Sequence, residues 1–197
     1  MQRVVTLSLI VLTCGCSHEP LTGPTRGSFS ISGRVVDYRT QAPIAGGRVE
    51  FNIDGSPTLI ASSTTDASGS YVLTVPASGT FVVTVNGSIV GVALVNRPTY
   101  RGDLLVNGAD CASRYGTLTD ARTARPVAGA TVTLAGGTAT SDADGWYRID
   151  LGCPASTGFG TTFLSVTHPD YAATQRVAGR GVQGVSRLDV ELERRRE

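Results

Sequence analysis

Few residues of this 197-residue chain have the type and spacing to do chemistry. It has two histidines, His18 and His168, far apart, so no H-E-x-x-H and no histidine pair at metal-ligand spacing occurs. His168 lies in Thr167-His168-Pro169-Asp170. A hydrolase triad there would also want a G-x-S-x-G elbow, and none is present, so the segment reads as a β-turn. Asp142-Ala143-Asp144-Gly145 has the oxygen-rich opening of a calcium loop without its remaining acidic ligands, which makes a turn the simpler reading. Trp146, the single tryptophan, alternates with an inward Tyr147 and so points outward. There it would stack on a sugar ring, anchor a protein partner or cover a domain junction; Tyr38, Tyr100 and Tyr171 are weaker candidates of the same kind. No catalytic residue, metal ligand or cofactor site emerges.

The other reactive groups are the cysteines. Arg3 followed by the apolar run Val4 to Leu12 is too short to span a bilayer but suits the core of a secretory signal. The run ends in Leu12-Thr13-Cys14-Gly15-Cys16, which resembles the lipobox of bacterial lipoproteins. That resemblance makes Cys16, preceded by the small Gly15, the lipidated residue; without lipidation the segment is an ordinary export signal. Several acyl chains on one residue would hold the protein at a membrane. The leader is thus residues 1–16, and the proline-broken 17–27 is a flexible spacer. In an exported chain, the two remaining cysteines, Cys111 and Cys153, are expected to form a disulfide.

These groups must be positioned by a scaffold that occurs twice. The pattern G-x-[VL]-x-D-x-x-T-x-x-P-[IV]-x-G-x-x-V is carried by Gly33, Val35, Asp37, Thr40, Pro43, Ile44, Gly46 and Val49. It returns at Gly116, Leu118, Asp120, Thr123, Pro126, Val127, Gly129 and Val132. T-[TS]-D-A-x-G-x-Y follows at Thr64 to Tyr71 and again at Thr140 to Tyr147. An offset of about 80 residues divides the mature chain into two small domains, 28–106 and 107–197, joined by only a few residues. A content of 41% hydrophobic residues with 24 glycines suits short β-strands and turns. Alternation points Ile31, Val35, Val49, Phe51, Tyr71, Leu73 and Val75 inward. In the second unit it does the same for Leu118, Val132, Leu134, Tyr147, Ile149, Leu151, Leu188, Val190 and Leu192, and it leaves Arg148, Asp150, Asp189 and Glu191 outward. Within the loops, Asp37 and Asp66 and their counterparts should accept backbone hydrogen bonds, and Gly46 and Gly69 should take conformations closed to other residues. Segment 151–160 is an insertion that lengthens one loop.

Both units resemble the carboxypeptidase regulatory-like domain, on the D-x-x-T-x-x-P-[IV]-x-G loop and the T-D-x-x-G-x-Y turn quoted above. The resemblance implies an all-β fold of two tandem transthyretin-like or Ig-like β-sandwiches of about seven strands each. It also implies a folding, spacing or docking role without enzymatic activity. A formal net charge of +1 gives no field to attract nucleic acid. The basic residues are all arginine, which reads as coding bias, and the closing Glu193 to Glu197 reads as a solvated tail. The expected protein is a membrane-anchored envelope lipoprotein with a protein partner; the rival is a carbohydrate-binding accessory lipoprotein using Trp146 and nearby tyrosines.

Overall fold

The computed structural model describes residues 26–153, 161–180 and 184–196. The leader, Cys16 and most of the spacer lie outside them, as does most of the 151–160 insertion. Every regular element among the described residues is a strand.

The first unit contains β1 (Arg26–Asp37), β2 (Arg48–Ile53), β3 (Leu59–Thr64), β4 (Ser70–Ala77), β5 (Gly79–Val85), β6 (Ser88–Val95), β7 (Thr99–Arg101) and β8 (Leu104–Val106). Strand β1 pairs antiparallel with β4 on one side and parallel with β7 and β8 on the other, against a second sheet ordered β3-β2-β5-β6. The second unit repeats this order strand for strand: β9 (Ala112–Asp120), β10 (Thr131–Leu134), β11 (Gly137–Thr140), β12 (Trp146–Gly152), β13 (Thr161–His168), β14 (Tyr171–Arg180), β15 (Gly184–Leu188) and β16 (Val190–Leu192). Its sheets are β12-β9-β15, with β16 beside β9, and β11-β10-β13-β14. Each unit is therefore a β-sandwich of eight strands, because short closing strands such as β7, β8 and β16, of three residues each, add to the sequence-based count.

Alternation explains the cores. In β4, Tyr71, Leu73 and Val75 are buried while Val72 and Thr74 are exposed. The first core gathers these residues with Ile31, Val35, Val49 and Phe51; the second gathers Leu118, Val132, Leu134, Tyr147, Ile149 and Val190. Each fully buried side chain of this kind contributes about 1.5–3 kcal/mol relative to exposure.

The repeated motifs are loop fasteners. Asp37 Oδ1 accepts the N–H of Arg39 and Thr40, both at 2.9 Å, and Asp120 Oδ1 accepts those of Arg122 at 3.0 Å and Thr123 at 2.9 Å. Asp66 accepts the N–H of Ser68 and Ser70, and Asp142 those of Asp144 and Trp146. Gly69 and Gly145 close these second turns at φ +76° and +74°, where a Cβ would stand 2.6 Å from the Val35 carbonyl oxygen and 2.4 Å from that of Leu118. The hydroxyls of Thr65 and Ser141 pin the two loops together, donating to the carbonyls of Ile44 and Val127.

The sandwiches are not separate beads. Strand β15 of the second pairs parallel with β6 of the first, Arg187 opposite Gly91 and Leu188 opposite Val92. One continuous sheet, β12-β9-β15-β6-β5-β2-β3, thus runs through both units. It also explains why every residue of β9 is buried: its inner face covers the second core and its outer face meets the first sandwich.

Candidate functional site

A polar cluster lies at this junction, built from an Arg-x-Asp triplet present in each copy. Strand pairing places Leu104 opposite Val35 and Val190 opposite Leu118, so Arg101-Gly102-Asp103 and Arg187-Leu188-Asp189 occupy the same place in the two sandwiches. Asp103 accepts the N–H of Arg34 at 3.0 Å, and Asp189 accepts that of Thr117 at 2.8 Å. Their surroundings differ. The Arg101 and Asp103 side chains are 35% and 29% exposed, whereas those of Arg187 and Asp189 are 0% and 2% exposed.

Alternation does turn Asp189 away from the second core. The expectation that this means solvent is corrected by the fold, since what it turns into is the first sandwich. Its Oδ2 accepts the N–H of Leu94 from β6 at 2.8 Å and the hydroxyl of Tyr100, while its Oδ1 takes Thr117 and lies 3.2 Å from Arg187 Nη2. Arg187 donates to the carbonyls of Asp103 at 2.9 Å and Arg101 at 2.8 Å. Its guanidinium lies over the Tyr100 ring at 4.8 Å and the Trp146 ring at 5.3 Å. Burial opposes its charge most, but Asp189 together with Tyr100 and Tyr115 outweighs the burial and holds Arg187 ionised above its ordinary value. Burial pushes the Tyr115 hydroxyl up to about 12 and raises Tyr100 well above its usual value, so both remain protonated; Tyr100 donates to Asp189, and the Tyr115 oxygen accepts the Leu105 N–H at 3.0 Å. Around this pair Tyr38, Leu105, Cys111 and Tyr115 form a small apolar core belonging to neither sandwich alone. Tyr38 and Ser113 both donate to Asp150, at 3.1 and 2.8 Å.

The docking is also shaped by a gap in β6. Gly91 has φ +144°, and a Cβ there would stand 2.5 Å from the backbone nitrogen of Arg187. Only glycine lets β15 approach that closely.

The individually named residues fall as follows. Cys111 and Cys153 are joined in a disulfide that ties the start of β9 to the end of β12. Trp146 is half-buried at the junction, 5.5 Å from the Tyr115 ring and 4.6 Å from the Arg101 guanidinium. Tyr38, Tyr100 and Tyr171 are buried, Tyr171 with its hydroxyl on Asp120, so these aromatics form no exposed platform for a sugar. His168 accepts the N–H of Asp170 at 3.1 Å within the β13–β14 turn. Asp142 Oδ1 is taken by two N–H groups, and its Oδ2 accepts from Arg101 at 3.3 Å. Cys16 and His18 lie outside the described residues. The sequence reading missed Arg187 and Asp189; the signal available was the repeated Arg-x-Asp immediately before the last strand of each copy.

No protein-family model matches the chain, and no curated protein matches it. Among solved structures it is similar to the Bacillus anthracis TIE protein (13% identity, TM-score 0.29, 85% of this chain and 34% of that one). It is also similar to a streptococcal ancillary pilin (15% identity, TM-score 0.31, 86% and 63%) and to the shaft pilin SpaA of Lactobacillus rhamnosus GG (12% identity, TM-score 0.30, 87% and 99%). The chain thus spans about a third of the first and under two thirds of the second. At these scores the likeness adds nothing to the fold read from the strands and says nothing of function.

Proposed function

We propose that this chain is a non-enzymatic, lipid-anchored envelope protein whose two carboxypeptidase regulatory-like modules act as one stiff spacer or docking unit. The observation that carries the proposal is the fused sheet locked by the buried Arg187–Asp189 pair. The donors and acceptors at that pair are spent on joining β6, β7 and β15, which is what a rigid arm needs and leaves no group free to act on a substrate there. The apolar run ending at Gly15-Cys16 supplies the anchor, the proline-broken spacer the reach, and the sandwiches the arm. The partner on this reading is the membrane through Cys16 and an envelope protein through the arm; nucleic acid has no part in it.

Anchor and arm are tested separately. Cys16→Ser is expected to move the protein from the detergent-extracted membrane fraction to the soluble one, and retention in the membrane fraction rejects the anchor. In chain with Cys14 and Cys16 replaced by Ser, spin labels at Val72→Cys and Thr167→Cys, one on each sandwich, should give a single narrow distance distribution. A broad one rejects the stiff arm.

A further inference from the structure

Beside the joint, β7 and the motif loop of the second sandwich enclose a groove of about 530 Å³, lined by Arg97, Thr99, Arg101, Arg125, Pro126 and Asp144 among others. Its three guanidinium groups differ in what they face. Arg101 is committed: Asp103 lies at 2.7 Å, Asp142 at 3.3 Å and Asp144 at 3.9 Å. Arg97 and Arg125 pair with no carboxylate among the described residues. The Nε of Arg97 is buried and makes no hydrogen bond, although Arg97 is only half-buried as a residue. A charged N–H withdrawn from solvent without an acceptor is unfavourable, and native structures rarely leave one so. Arg97 is one of the residues that line the groove.

The basic lining is not a by-product of the repeat. Strand pairing and motif place Arg125 where the first copy has Ala42, and Asp144 where it has Ser68. The second copy therefore differs at the groove by one added cation, Arg125, and one added carboxylate, Asp144, which lies 3.9 Å from Arg101. Planar guanidinium forks match the paired oxygens of carboxylates and phosphates, and a groove lined by two that pair with no carboxylate suits an oxyanion.

We propose that this groove binds a ligand through an oxyanion, carboxylate or phosphate, with Arg97 and Arg125 as its two charged contacts. Arg101, neutralised by three aspartates, forms the wall and links the site to Trp146, over whose ring it lies. The proposal goes beyond the spacer reading and does not depend on the anchor.

The test uses the full chain in detergent at constant ionic strength set by chloride, titrated with citrate in one arm and inorganic phosphate in the other. Heat is read by calorimetry and the site by the emission of Trp146, the single tryptophan. A saturable response is expected in at least one arm, and the arm that responds identifies the anion. Arg97→Gln and Arg125→Gln should each weaken it by about tenfold or more, the worth of one charge-assisted contact. Arg122→Gln, an exposed neighbour outside the groove, should leave it unchanged, and melting curves establish that all three variants fold. No saturable heat in either arm up to about 10 mM, past the millimolar end of the affinity scale, overturns the proposal. So does binding that survives both Arg97→Gln and Arg125→Gln.

Discussion

Replacing Asp189 by alanine separates what the joint contributes from what the repeated motif contributes. In the intact protein Asp189 is 2% exposed and satisfies Arg187, the N–H groups of Leu94 and Thr117, and the Tyr100 hydroxyl. Its removal strands a fully buried guanidinium, and breaking a buried pair from one side costs about 3–5 kcal/mol. For a chain of this length each kcal/mol lowers Tm by about 2–4 °C, so the expected fall is roughly 6–20 °C. Asp103→Ala is the internal control. The residue has the same place in the motif, but its pair with Arg101 is 35% and 29% exposed, and such pairs contribute about 0–1 kcal/mol. A second control removes the stranded charge: Arg187→Met combined with Asp189→Ala should melt higher than Asp189→Ala alone. Melting followed by circular dichroism decides the matter. Equal falls for Asp189→Ala and Asp103→Ala, or a loss at Asp189 below about 1 kcal/mol, would refute the assignment of the joint to this pair.

Other expectations follow from the turns, the disulfide and the carboxylates. Gly145→Val places a β-branched residue at φ +74° with its Cβ against the Leu118 carbonyl, so stability should fall by at least about 1–3 kcal/mol. That loss should be the same with and without a chelator, and a chelator-induced drop in the unmodified protein would mean that Asp142 and Asp144 hold a metal. Breaking the Cys111–Cys153 bridge, whose ends are 42 residues apart, should cost about 4 kcal/mol on the chain-entropy estimate. Non-reducing peptide mapping checks the link, and a free thiol at either position contradicts it. The N–H of Thr40, then the Asn107 side chain, holds the Asp37 carboxyl down to about 2. At Asp120 burial opposes ionisation, yet the Thr123 N–H, Arg194 and Tyr171 outweigh it and keep that carboxyl below its ordinary range. Both groups are more acidic folded than unfolded, so their contribution is complete above about pH 4 and drains as pH falls towards about 2. Urea unfolding at a series of pH values should be flat near neutrality and weaken below about 4; stability gained on acidification would reverse the sign.

The repeat was legible because its residues act locally. Asp37, Asp66, Asp120 and Asp142 bind backbone N–H groups within four positions, and such short-range geometry leaves a fixed spacing in the sequence. The inward residues were legible from a period of two. The joint was not, for the same reason: alternation reports which side of a strand a residue faces, not what lies there. The side chains of Asp189, Tyr115 and Arg187 face away from their own core and are buried against the other sandwich. The left-handed conformations of Gln41 and Ala124, at equivalent positions and neither a glycine, likewise left no mark on residue choice.

The fused sheet also imposes an order of assembly. The first sandwich has all its own strands once Val106 has left the ribosome, but β6 then ends its sheet with an unpaired edge and with Ile89, 73% exposed, beside it. The strand that closes that edge, Gly184–Leu188, is made only after β9 to β14. Pairing between such distant segments forms late, and an open edge in the meantime is a template for the wrong neighbour. Until Gly184–Leu188 is made this protein therefore carries a half-made sheet, and a chain stopped before Gly184 would be left with an edge open to any passing strand.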